Sequence, residues 1–375
     1  MTTAGAADAR IHVVRFAPAK LNLTLAVVGR WEDGYHALHS IMVPLSLGDA
    51  LTVSAAPAGA AHDSLLITGS TLSPARDNLV LRAIAATRVA IAATWHGAPA
   101  APPPLVARLA KRVPVAAGLG GGSSDAAAAI DAALAAWAAA LDPEETGALA
   151  ASLGSDVPFF LAGGAALVTG RGEFVEPLPD IQGEPLAVLL VTPRLPLATA
   201  AVFQAYAGGA HPPDAARARE VSERLATQMR AGLTGADLLR RAEELAAAND
   251  LRPAAVSIVP GLADLMAALE KLTGRPVGQS GSGPSLWSLY PTLAEARKAV
   301  RLVRLAAVNG TLPPTGTGEP FVAATAIAGR HPQPAAETGD GAAGTIRPRT
   351  VHNEFTTRRH DADDRAAEPG DTKGD

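Results

Sequence analysis

Ile11 to Phe16 sets the polar His12 and Arg15 among apolar, largely β-branched residues, a pattern that reads as a strand. After Pro18, Ala19-Lys20-Leu21-Asn22-Leu23-Thr24-Leu25 alternates apolar and polar positions as a second strand. Leu21, Leu23 and Leu25 share one face, so Lys20, Asn22 and Thr24 share the other. Further strands are predicted at Ile41 to Leu47, Ala50 to Ser54, Leu65 to Thr68, Leu105 to Arg112, Gly163 to Val168, Leu186 to Thr192, Ser285 to Tyr290 and Phe321 to Ala328. Asp77-Asn78 is a start signal for a helix to about Ala93. Helical stretches follow from Asp125 to Ala140, Pro143 to Leu153, Asp214 to Met229, Gly235 to Ala248, Pro260 to Leu272 and Leu293 to Ala306. Strands and helices mix without the strict alternation of a doubly wound sheet, which predicts the α+β class.

One loop interrupts this pattern in an informative way. Pro114-Val115-Ala116-Ala117-Gly118-Leu119-Gly120-Gly121-Gly122-Ser123-Ser124 runs straight into the alanine-rich helix. Its glycines let the backbone approach a ligand, and its serines suit a helix start. A glycine loop feeding a helix N-terminus offers free N–H groups and a positive dipole end, which suit phosphate. No lysine follows as in Gly-x-x-x-x-Gly-Lys-Ser/Thr. A dinucleotide fingerprint fails too, because its last glycine place is Ser123.

Composition narrows the class. The chain has 375 residues, so two domains are expected. Net charge is −4, which gives no electrostatic case for nucleic acid. Cysteine is absent, which excludes disulfides and thiolate metal sites. Met1 to Arg10 lacks an apolar signal core, and Ala126 to Leu141 is too short and alanine-rich to span a membrane, so a cytoplasmic location is expected. From about residue 330 to 375 the chain is rich in Pro, Gly, Thr and mixed charge, the composition of a disordered tail. Ala98 to Pro104 reads as a Pro-rich surface loop.

Several polar residues carry candidate chemistry. Asp156 lies between a helix end and the apolar Val157-Pro158-Phe159-Phe160 run. Partial shielding there can tune a carboxylate for proton abstraction, although such an aspartate is commonly a helix cap. Lys20 can pair with a carboxylate or steady a phosphoryl group, or sit on a solvated strand face. Tyr35 and His36, in Asp33-Gly34-Tyr35-His36, can stack on and hydrogen-bond to a planar base, or form an ordinary turn. Gly281-Ser282-Gly283-Pro284 is a second tight loop and by itself reads as a hairpin turn. None of the nine histidines forms His-x-x-x-His, so a transition-metal site is not expected.

Together these pieces resemble the GHMP kinase superfamily over residues 11 to 328. Pro114 to Ser124 is similar to its ATP-binding motif, Ala17 to Leu23 to its N-terminal motif, and Gly278 to Pro284 to its third. Asp33 to His36, Gly154 to Phe160, Thr199 with Phe203, and Asp77-Asn78-Leu79 resemble one branch, which phosphorylates a cytidine-diphosphate-linked methylerythritol in non-mevalonate isoprenoid synthesis. The resemblance implies a ribosomal-protein-S5-like N-terminal domain (11–170) and a ferredoxin-like C-terminal domain (171–329). It implies Lys20 and Asp156 as catalytic residues, and Asn22 and Thr199 at the substrate. Tyr35 and Phe203 would sandwich the cytosine, with His36 on its polar edge. Asn78 would line the adenosine pocket. ATP and Mg²⁺ are the implied cofactors, with Ser123, Ser124 and Asp125 as candidate metal ligands by proximity only. Small-molecule substrates are the expected partners, without nucleic acid or membrane, in a monomer or weak homodimer. Family members often carry glycine where Ala116 and Ala117 stand, and these alanines fit if their φ is negative. A homoserine- or mevalonate-type kinase, and a non-catalytic nucleotide-binding relative, are the alternatives.

Overall fold

The structure, a computed structural model, describes residues 12–72, 75, 77–94, 102–210, 214 and 216–330. The N-terminal segment, most of the Pro-rich loop and the tail after Arg330 lie outside the described residues.

A single strand, β1 (His12–Asn22), replaces the two expected on either side of Pro18. It pairs antiparallel with β3 (His36–Ala55), and the register shifts between Pro18 and Lys20. Proline has no N–H for the ladder, so the chain absorbs Pro18 in an irregularity rather than ending the strand. The strands expected at 41–47 and 50–54 likewise fuse into the 20-residue β3. Between β1 and β3, β2 (Ala26–Arg30) forms a hairpin with β3, and its turn is Trp31 to Tyr35. Next come β4 (Ser64–Thr68), α1 (Leu79–Thr94), β5 (Leu105–Ala110), α2 (Gly121–Ala136), α3 (Pro143–Leu153), α4 (Val157–Ala162), β6 (Ala166–Gly170) and β7 (Phe174–Pro177). These strands make one sheet in the order β4-β5-β3-β6-β7, with β1 and β2 also paired to β3. The start signal at Asn78 is real, since its Oδ1 accepts from Val80 N at 3.0 Å.

The second half contains β8 (Ala187–Thr192), α5 (Thr199–Ala207), α6 (Arg217–Arg230), α7 (Gly235–Arg240), α8 (Ala242–Ala247), α9 (Arg252–Ile258), α10 (Gly261–Thr273), β9 (Gly278–Gln279), β10 (Leu286–Tyr290), α11 (Leu293–Val308) and β11 (Phe321–Ala326). Its antiparallel sheet has the order β11-β8-β10-β9. The helix expected over 235–248 is broken into α7 and α8 at Arg241. The α+β expectation holds.

Burial explains how the two sheets are joined. Leu21, Leu23 and Ile41 of the first half share a buried cluster with Val188, Leu190, Met229 and Trp287 of the second. The face of β1 opposite Leu21 is therefore free to carry Lys20 and Asn22 inward as well, toward α2 and the glycine loop. Both polar residues are buried, at 4% and 2% exposure, which is affordable only if their polar atoms are paired.

Candidate active site

The glycine loop wraps the open end of that arrangement. Helix α2 begins at Gly121, four residues before the expected start, with Gly120 as N-cap at φ 68° and no side-chain cap. Gly122 and Ser123 therefore lie in the first turn, where N–H groups have no partner within the helix. A cavity of about 460 Å³ opens there. It is lined by Lys20, Asn22, Asn78, Pro114 to Gly118, Gly120 to Ser123, Asp156, Thr199, Phe203 and Ser282, among others. Leu119 and Ser124 are not in its wall. Leu119 belongs to the core, and its carbonyl accepts from Lys20 N at 2.9 Å.

The second loop, Gln279 to Pro284, is more than a hairpin turn. Gly118 has φ +74°, and a Cβ there would lie 2.5 Å from the Ser280 carbonyl oxygen. Ser280 Oγ donates to Gly118 O at 3.0 Å and accepts from Asn22 N at 3.4 Å. Asn249 Nδ2 donates to the Gln279 and Gly281 carbonyls, each at 2.9 Å. The three sequence segments thus meet through backbone contacts that only small residues permit.

Ala116 departs from the expectation of negative φ. Its φ is 53°, in the left-handed region, where a Cβ costs roughly 1 kcal/mol. The loop must turn there to bring its backbone round the cavity, and glycine would do so without strain.

Lys20 and Asp156 come together. Lys20 Nζ donates to Asn22 Oδ1 at 2.5 Å and lies 3.7 Å from Asp156 Oδ2. The Asn22 amide is fixed from behind: its Nδ2 donates to Ser40 Oγ at 2.8 Å, and Ser40 donates onward to Thr24 O at 2.6 Å. Ser40 has spent its proton, so Asn22 must donate to it and turn its oxygen to Lys20. Asp156 occupies the N-cap position of α4 yet makes no side-chain cap bond. Its carboxylate faces the lysine, with the side chain 29% exposed.

Helix α5 explains the Thr199–Phe203 spacing, because positions four apart share a helix face. The Thr199 and Ser282 hydroxyls share a hydrogen bond of 2.9 Å. Phe203 stacks on His36 with centroids 5.3 Å apart and planes 25° from parallel. That separation is an offset stack and leaves no room for a base between these two rings. Tyr206 packs edge-on against His36 at 5.7 Å. Tyr35 lies at the hairpin tip, 60% exposed.

A buried charge cluster escaped the sequence reading. Lys111 Nζ pairs with Asp49 Oδ2 and, at 2.7 Å, with Asp125 Oδ2. Asp49 Oδ1 also accepts from Val113 N at 2.9 Å. Burial pushes the Asp125 carboxyl up to about 7; Lys111 opposes the shift and Asp49 adds to it. Asp125 Oδ1 is buried without a hydrogen-bond partner, and Asp125 lines the cavity. The available signal was a lysine at the end of a strand, three residues ahead of the loop. Among the described residues, no three His, Cys, Asp or Glu side chains are grouped to hold a metal ion. No single helix among them is long and apolar enough to cross a membrane.

Residues 78–164 match the model of the GHMP kinases N terminal domain. The chain is 39% identical over 288 residues to the 4-diphosphocytidyl-2-C-methyl-D-erythritol kinase of Paramagnetospirillum magneticum, covering 76% of this chain and 90% of that protein. It is 36% identical over 295 residues to the same-named kinase of Pelotomaculum thermopropionicum, covering 78% and 94%. Among solved structures, a 4-(cytidine 5'-diphospho)-2C-methyl-D-erythritol kinase superposes with TM-score 0.61 and 30% identity, over 84% of this chain and all of the other. A homoserine kinase from Cytophaga hutchinsonii superposes with TM-score 0.58 at 18% identity, over 87% and 98%, a likeness of fold alone.

Proposed function

This chain belongs to the 4-diphosphocytidyl-2-C-methyl-D-erythritol kinases of the GHMP kinase family, and we propose how its own residues carry that reaction. The γ-phosphoryl group of ATP passes to the 2-hydroxyl of the cytidylyl substrate, giving the 2-phosphate and ADP. Asp156 accepts the hydroxyl proton as the oxygen attacks phosphorus and the bond to ADP breaks. Lys20, 3.7 Å from Asp156 and oriented by Asn22, pairs with the carboxylate and offsets charge on the γ-phosphoryl oxygens. The backbone from Gly118 to Ser123 and the first turn of α2 cradle the phosphates. Asn78 and the wall beside it take the adenosine.

The observation that carries this reading is the meeting of Lys20, Asp156 and the glycine loop on one cavity. The base is assigned to Tyr35, His36 and Phe203. His36 lies in an offset layer over Phe203, so a cytosine in that layer would meet the imidazole edge while Tyr35 covers its other face.

The donor set fits Mg²⁺, which takes one or two carboxylates and substrate phosphates and keeps several waters. Asp125, with its unpartnered Oδ1, and Ser123 would hold it. Held there, the ion would supply positive charge against the phosphates. The test is a panel: ATP with the cytidylyl substrate, homoserine or mevalonate, read as ADP formed. Turnover confined to the cytidylyl substrate is expected; turnover with either of the others at a comparable rate would refute the assignment of the base pocket.

A further inference from the structure

We propose that Arg171 is a positioning residue for the base-binding turn, and this rests on the assignment of Tyr35 to the cytosine. Arg171 stands at the tip of the hairpin between β6 and β7. Its backbone N–H donates to Glu173 Oε2 at 2.5 Å, and Gly172 N donates to Thr169 O at 3.2 Å, so the tip is itself fixed. From there the guanidinium reaches across to the turn between β2 and β3. It pairs with Asp33 Oδ2, and its central carbon lies 4.8 Å from the Tyr35 ring centroid and 5.9 Å from that of Trp31. The other oxygen of Asp33 accepts from Tyr35 N at 3.2 Å. One carboxylate therefore ties the tyrosine backbone to the arginine that covers the tyrosine ring. A planar guanidinium can lie over a ring while its edge donates to a carboxylate, a geometry that a lysine ammonium reproduces less well.

Little else holds that ring in place. Tyr35 is 60% and Trp31 48% exposed, so core packing does not fix them. With the guanidinium on one face, Tyr35 keeps the opposite face for a base. The tip also touches the chemistry. A Cβ at Gly172 would lie 3.0 Å from both Cβ and O of Ser155, the neighbour of Asp156. A cleft of about 360 Å³ lined by Trp31, Ser155, Arg171 and Phe174 marks where the three turns meet. The Arg171–Asp33 pair is exposed and screened, so its loss should move the ring far more than the overall stability.

The experiment compares wild type, Arg171→Ala and Arg171→Lys. It reads KM for the cytidylyl substrate and for ATP, kcat, CDP binding by calorimetry, and the thermal midpoint. Arg171→Ala should raise KM for the cytidylyl substrate and weaken CDP binding by about three- to tenfold. KM for ATP should stay within about twofold, and kcat should change less than KM. Arg171→Lys keeps the charge but not the plane and should lose roughly twofold or more; it carries the test if the alanine variant does not fold. Unchanged CDP binding in both variants, or equal effects on the two substrates, would overturn the proposal while leaving the function intact. Wild-type protein that neither binds CDP nor phosphorylates the cytidylyl substrate would overturn the underlying function, and this inference with it.

Discussion

At the scale of single residues, the sequence identified groups but not their states. Lys20 and Asp156 were readable as a possible pair because the motifs around them are distinctive. Their contact could not be read, since the two residues lie 136 positions apart in the chain and no local pattern encodes that distance. Asp125 shows the opposite failure. It reads as an ordinary acidic complement to a helix N-terminus, yet in the fold it is buried beside a second carboxylate and one lysine. Burial disfavours the ionised form of Asp125 first, and the neighbouring Asp49 carboxylate adds to this against the opposing Lys111, so Asp125 resists ionisation. The folded Asp125 carboxyl is raised from 3.8 to about 7. Its contribution to stability is therefore fully present below about pH 4 and is lost as pH rises through about 7. Asp125→Asn cannot titrate and keeps an oxygen for Lys111. The variant's thermal midpoint minus that of wild type should rise from pH 5 to pH 8 and then level off. A difference independent of pH would show that Asp125 is not the titrating group.

At the scale of elements, the long periodic segments were legible and the short ones were not. Helices α1, α3, α6, α10 and α11 fall close to where their caps and apolar spacing place them. Helices α4, α5 and α9 were missed. Each has nine residues or fewer, too short to show the 3.6-residue period clearly, and packing rather than propensity sustains such helices. The cost of missing α5 was real, because the helix is what puts Thr199 and Phe203 on one face. Helix α2 starts earlier than its alanines suggest because the glycines, poor helix formers in isolation, are already wound into its first turn. The second glycine loop illustrates how weak a tight-turn signal is alone and how strong it becomes once a partner is seen. Its backbone packs onto Gly118 so closely that no side chain fits between them. Gly118→Ala should thus separate the two loops, raising KM for ATP at least tenfold and lowering the thermal midpoint. Kinetics indistinguishable from wild type would mean that this contact does not shape the phosphate site.

At the scale of the whole molecule, the α+β class was legible from the irregular mixing of strands and helices. The way the halves join was not. The shared core of Leu21, Leu23 and Ile41 with Val188, Met229 and Trp287 arises from positions far apart in the chain. The cavity wall draws on both halves: Lys20, Asp156 and the glycine loop from the first, Thr199, Phe203 and Ser282 from the second. A nucleotide held mainly by one half and an acceptor touched by the other can be brought into line only if the joint is rigid. Most of the barrier in phosphoryl transfer is lowered by such positioning and by charge stabilisation, leaving the proton acceptor as the one group with a distinct chemical task. Asp156→Asn removes that task while preserving size and leaving Lys20 buried beside it. The measurement is the single-turnover rate of phosphorylated cytidylyl product with saturating ATP, alongside the affinity for an ATP analogue. The expected result is a rate lower by about 10² to 10⁴ with analogue affinity within a few-fold of wild type. A rate near that of wild type would contradict the role of Asp156 and the mechanism built on it.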